Sequence, residues 1–175
     1  MAEREFVLTG LEQAFDRRSW HGTNLNGSLR GLKVDVAAWR PAPGRHNIWE
    51  LIVHAAYWKY AVLRRLTGAG RGSFPLGGSN WFARPLPGEQ TPRALAADLQ
   101  LLRSTHRALL GAVAAFDFQR LDDCPPGGKV SHRDLIVGVA AHDLYHAGQI
   151  QLLKRLHADL RRAAATRGAR TTRSR

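Results

Sequence analysis

Apolar residues recur every three or four positions over four long stretches of the chain, and nowhere do apolar and polar residues alternate long enough to make a sheet. Phe6, Leu8, Leu11 and Phe15 make the first stripe, in a helix predicted over about 3–18. WHGTNLNGSLRGL follows, where Gly22 breaks that helix and 24–31 reads as a further short one. The loop RPAPGRHN ends on Asn47, three residues before Glu50, a spacing that closes a capping box. A second long helix is therefore predicted from Ile48 to about Leu66, stopped by Gly68. GAGRGSFPLGGSNWFARPLPGEQ is too rich in Gly and Pro to be regular, yet it carries Trp81 and Phe82. Thr91 as cap and Pro92 at the first helical position, where its missing N–H costs nothing, open a third helix that runs to about Phe116. After the loop DDCPPGGK, Ser131 and Asp134 mark the start of the fourth. Four amphipathic helices joined by loops predict an all-α fold, a four-helix bundle.

Polar residues interrupt these stripes in one place above all. On the fourth helix, positions 135, 139, 142, 146, 149, 153 and 156 alternate spacings of four and three, the mark of a seam facing other helices. Three consecutive seam positions are polar, His142, His146 and Gln149, with aliphatic residues on either side. Buried without partners, such groups cost roughly 1–3 kcal/mol each, so something has to satisfy them. Two histidines at i and i+4 project from one face and can aim two imidazoles at one centre. Two separately hydrogen-bonded core histidines are the alternative. HDLYH superficially resembles the HExxH of zinc proteases, but its second position is Asp and no Glu follows Glu89, so that class is excluded. A third ligand has two candidates. His54 lies on the second-helix row Asn47, Leu51, His54, Trp58, Ala61, and His106 on the third-helix row Leu99, Leu102, His106, Leu109. Glu50, one turn before His54, is placed to hold that ring's other nitrogen.

A net charge of +12 would suggest an anionic partner, but its distribution weakens the idea. The last fifteen residues hold six arginines and no acid, leaving +6 on residues 1–160. Residues 161–175 lack apolar periodicity and are expected to be a basic, disordered tail on a single domain of residues 1–160, with no specific nucleic-acid partner. No apolar run approaches the roughly 18 residues of a membrane span, and MAEREFVLTG lacks the apolar segment of a signal peptide. With Cys124 as the single cysteine no intrachain disulfide can form, and a cytoplasmic location is expected.

NIWELIVHAAYW in the second helix and AHDLYHAGQIQLLKRL in the fourth resemble the signatures of the DinB/YfiT-like family of four-helix-bundle metalloenzymes, a resemblance that covers most of residues 1–157. It implies one divalent metal held by a histidine of the second helix and two, four apart, of the last core helix: here His54, His142 and His146. Zn, Ni, Fe and Mn all tolerate imidazole, so the metal's identity stays open. Thiol-dependent relatives, the mycothiol-dependent maleylpyruvate isomerase and the bacillithiol transferases, imply a transferase in which a metal-held thiolate attacks a small electrophile. The alternatives are a metal-dependent hydrolase and a non-catalytic bundle that binds a metal or small ligand. Many relatives are dimers, which implies a homodimer. Around the ligands, Trp58 and Trp81 are candidate pocket walls along with Tyr57, or else plain core aromatics. Gln149, one turn after His146, is either a contact to the ligands or substrate or a buried structural amide, and Tyr145 is expected to pack between helices. His21 is either a proton shuttle or a plain turn residue. Cys124, between Asp123 and Pro125, has no activating neighbour in sequence.

Overall fold

The computed structural model describes residues 2–172, with side chains described for 2–167. Among the described residues there are six α-helices, one 3-10 turn over Phe118–Arg120 and no strand. The helices are α1 (Ala2–Phe15), α2 (Leu25–Ser28), α3 (Val34–Ala38), α4 (Ile48–Thr67), α5 (Pro92–Ala115) and α6 (His132–Thr172). The all-α expectation holds. Of the four long helices, α4 packs on α5 and α6, and α1 packs on α6 and α5.

The predicted boundaries of the second, third and fourth helices coincide with real caps. The Asn47 side chain accepts from the Glu50 N–H while Glu50 reaches back to the Asn47 N–H, and Gly68 closes α4 in the left-handed conformation at φ 70°. Thr91 accepts from the Ala94 N–H, and Ser131 from the Asp134 N–H. The first helix stops at Phe15, short of the expected 18. There the Asn24 side chain donates to the Arg17 carbonyl and accepts from the Gly27 N–H, which turns the chain into α2.

Two differences concern α6. Its buried residues are His132, Ile136, Val139, Asp143, His146, Ala147, Ile150 and Leu153. This stripe keeps Val139, His146 and Leu153 of the expected seam but turns by one residue elsewhere, with 136, 143 and 150 buried in place of 135, 142 and 149. His142 and Gln149 therefore sit at the edge of the stripe, half-buried. The helix also runs on to Thr172, through most of the segment expected to be disordered; residues 173–175 lie outside the described residues. Side chains 158–167 are all exposed. The missing apolar periodicity thus marks a helical extension with no packed face, and its Leu, Ala and Arg residues are strong intrinsic helix formers.

The core is divided. One apolar cluster gathers Phe15, Leu25, Trp49, Ile52, Leu102 and Ile150 among others, and a second gathers Leu11, Val62, Leu109, Val113, Ile136 and Val139. Each long helix contributes to both. Between the two clusters, α4 places His54 and Lys59, α5 places His106, and α6 places His142, Asp143 and His146. The helices thus carry a polar layer across the middle of the molecule.

Candidate metal centre

In this layer His54, His142 and His146 converge. One nitrogen of each lies within 4.8 Å of the others. The Nε2 atoms of His54 and His142 are 3.1 Å apart, and those of His146 and His142 are 3.0 Å apart. His54 and His146 are buried. His106 is not part of the cluster. Its ring stacks on Phe15 at 3.7 Å between centroids, and neither of its nitrogens has a hydrogen-bond partner.

The outer nitrogens show how the rings are held. His54 Nδ1 lies 2.8 Å from the Asn80 carbonyl oxygen, and His146 Nδ1 lies 2.6 Å from Gln149 Oε1. A carbonyl oxygen only accepts, so both Nδ1 atoms carry their protons and both Nε2 atoms present bare lone pairs toward His142. Of the two readings of Gln149, the structure shows a contact to His146. The expected one between Glu50 and His54 is not. Glu50 is occupied at the helix start, where it pairs with Arg40, contacts His46 Nδ1 at 3.0 Å and accepts from the Asn47 N–H. Burial disfavours its ionisation, but Arg40 and His46 outweigh that and hold the carboxyl below its ordinary value. Capping uses the carboxylate that second-helix spacing had offered to the ring.

Asn80 takes the place of Glu50, and the long loop between α4 and α5 puts it there. Arg84 anchors that loop. Its guanidinium bonds Asp98, which also accepts from Trp49 Nε1 at 2.7 Å, and its carbonyl accepts from Asn47 Nδ2 at 2.8 Å. Asn80 adopts φ 63°, a left-handed conformation that Asn tolerates better than most residues. Its carbonyl meets His54 and its side chain accepts from Trp58 Nε1 at 3.0 Å. Trp81 then lies flat between two imidazoles, 3.8 Å from His54 and 3.6 Å from His46 between ring centroids.

Burial pushes all three rings toward the neutral state a metal ligand requires: His142 down to about 3, reinforced by its two neighbours, His146 to about 4, and His54 also below its ordinary value. One helical step from His142, the Asp143 carboxylate pairs with the Lys59 ammonium, both fully buried. Lys59 also lies 4.9 Å from the centre of the Phe15 ring. Sequence spacing did not point to this pair, although a lysine and an aspartate on otherwise apolar faces of α4 and α6 were the signal.

Two cavities reach the cluster. A groove of about 560 Å³ is lined by His146, Trp81, Gln149 and apolar residues of α6. A smaller recess of about 140 Å³ is lined by His142, Trp58 and Val139. Tyr57 lines a separate cleft with Trp58. Tyr145, expected to pack between helices, is 64% exposed and forms part of the groove wall, because the buried stripe of α6 turns it outward. His21 is exposed in the turn after α1 and stands outside the cluster, and Cys124 is exposed.

A family model for the DinB superfamily matches residues 18–150. The chain belongs to the DinB superfamily. Neither the curated proteins nor the solved structures gave a match. The span matched to the DinB superfamily contains all three clustered histidines together with Asn80 and Gln149, and it stops before the helical extension. Its members are associated with metals, and three clustered histidines are compatible with that.

Proposed function

We propose that this DinB-superfamily chain is a four-helix bundle that holds one divalent metal on the Nε2 atoms of His54, His142 and His146, and that it is a thiol-dependent transferase acting on a small electrophile. The observation that supports the metal most strongly is the pair of carbonyl-fixed tautomers. Two unprotonated nitrogens face a third nitrogen at 3.0–3.1 Å. A single N–H on His142 can satisfy only one of them, whereas one cation satisfies all three. Bonds of about 2.0–2.1 Å from imidazole nitrogen to a cation set neighbouring ligand atoms roughly 3 Å apart, which the two separations from His142 fit.

A cation held by three neutral ligands keeps its charge and open positions, and so supplies Lewis acidity and lowers the pKa of a thiol or water. The chain's own residues do the rest. Asn80 and Gln149 orient two of the rings, and Trp81 covers one face of His54. The groove and the recess flank the cluster, giving two reactants separate approaches. Neither cavity is lined by a cysteine, a serine or a pair of carboxylates, so the nucleophile comes from outside the chain. The thiol is supported by the resemblance to thiol-dependent relatives, and a cytoplasmic location would keep such thiols reduced.

The test is conjugation of low-molecular-weight thiols to 1-chloro-2,4-dinitrobenzene. Zinc-loaded protein should raise the rate well above that of the chelated protein, and the His142→Ala variant should not. Equal rates for all three across several thiols would remove the transferase and leave metal-dependent hydrolysis to be tested.

A further inference from the structure

The groove beside His146 has a composition of its own. Its lining includes Leu51, Leu152, Leu153, Leu156, Pro41 and Trp81, with no acidic residue. Leu152 is 57% exposed and Leu156 is 40% exposed, a costly display of aliphatic surface unless a ligand covers it. At about 560 Å³ the groove falls within the range of small-molecule sites, roughly 300–1,000 Å³.

Three of its polar groups can donate hydrogen bonds. Arg45, on the loop before α4, has no acidic partner among the described residues, unlike Arg40, which Glu50 engages. The Gln149 carbonyl oxygen is taken by His146, so its free capacity is the amide N–H₂. The Tyr145 hydroxyl adds a further donor. His46, also in the wall, has its Nδ1 on Glu50 and its ring on Trp81, and its neutral form leaves Nε2 as an acceptor. Aliphatic walls with donor groups and no acid select a ligand with an apolar body and an anionic end.

We propose that this groove binds an apolar carboxylate, with Arg45 pairing with the carboxylate and Leu152 and Leu156 covering the chain. The proposal rests on the metal-enzyme reading only for the consequence that such a carboxylate is the electrophilic substrate's class; binding itself does not require the metal.

Calorimetric titration with octanoate and with octanamide, on zinc-loaded and on chelated protein, tests it. Octanoate should bind both forms, and more tightly than octanamide. Arg45→Gln should weaken octanoate about tenfold and leave octanamide unchanged, the size expected for loss of one charge-assisted contact. Leu152→Asp should weaken both ligands. Equal affinity for acid and amide, no binding of either, or indifference to Arg45→Gln would overturn the proposal. Binding that requires zinc and ignores Arg45 would put the carboxylate on the metal and overturn it as well. So would a dimer that Leu152→Asp dissociates in the absence of any octanoate binding, since a second copy would then cover the groove. Zinc uptake without octanoate binding defeats the carboxylate alone; octanoate binding by a chain that takes up no zinc defeats the metal reading alone.

Discussion

Burial acts on His106 with little to oppose it. The ring lies on Phe15 with both nitrogens unpartnered, and desolvation, reinforced by Lys59 and Arg107, pushes its pKa down to about 3. Above pH 6.5 the folded and unfolded chains are both neutral at this position. Below it, the unfolded chain takes up a proton that the folded one refuses, so stability falls as pH drops from 6.5 toward 3. For one such group the fall approaches about 1.4 kcal/mol per pH unit. Urea melts of His106→Leu at pH 7 and pH 4.5 should therefore show a smaller acid loss than wild type, and equal losses would show that the ring titrates normally. The Lys59–Asp143 pair gives a different signature. Burial pushes the Asp143 carboxyl up, to about 6, and Lys59 down, while each partner opposes the other's shift. Asp143→Leu alone strands a buried ammonium and should cost about 3–5 kcal/mol, whereas Lys59→Met with Asp143→Leu should recover most of that. Strictly additive losses in the same melts would argue against a coupled pair. At Gln149, replacement by Leu removes the acceptor that fixes the His146 tautomer and should weaken metal binding by about 10–100-fold, read by competition with a chelator.

At the scale of elements, α4 carries the most. Its capping residue also ties down the loop that brings Asn80 to His54, so Asn47→Ala removes two contacts at once. The expected cost is about 1–2 kcal/mol in a denaturant melt, against no change if the cap were idle. The starts of α4, α5 and α6 were legible in the sequence because each is written in adjacent residues: Asn47 with Glu50, Thr91 with Pro92, Ser131 with Asp134. The histidines four apart on α6 were legible for the same reason. His54 needed more, since His54 and His106 occupy equivalent rows on different helices, and only the packing of α4 against α6 brings one of them in. Asn80 was hidden because its contact with His54 is made by a backbone carbonyl, which every residue possesses. Glu50 misled because a carboxylate one turn from a ring serves a helix cap equally well. That Val139, His146 and Leu153 keep their seam places while 136, 143 and 150 replace 135, 142 and 149 was beyond pattern reading, since a seam interrupted by polar residues fits two neighbouring registers.

Across the whole molecule, charge and packing separate. The packed part ends near His157, and the extension beyond carries arginines with exposed side chains as far as they are described. No helix among the described residues is long and apolar enough to cross a membrane. A chain ending at Leu160 should melt at the wild-type temperature, and any affinity for DNA or RNA should fall with the six arginines and with added salt. Sequence-specific binding that survives this truncation at physiological salt would relocate the interface to the packed helices. That the polar layer between the two apolar clusters holds a metal is tested by the metal content of protein purified without a nickel column and loaded with zinc. Wild type and His106→Ala should each carry about one equivalent per chain, and His54→Ala, His142→Ala and His146→Ala should carry almost none. Full occupancy in His54→Ala, or none in folded wild type, would contradict it.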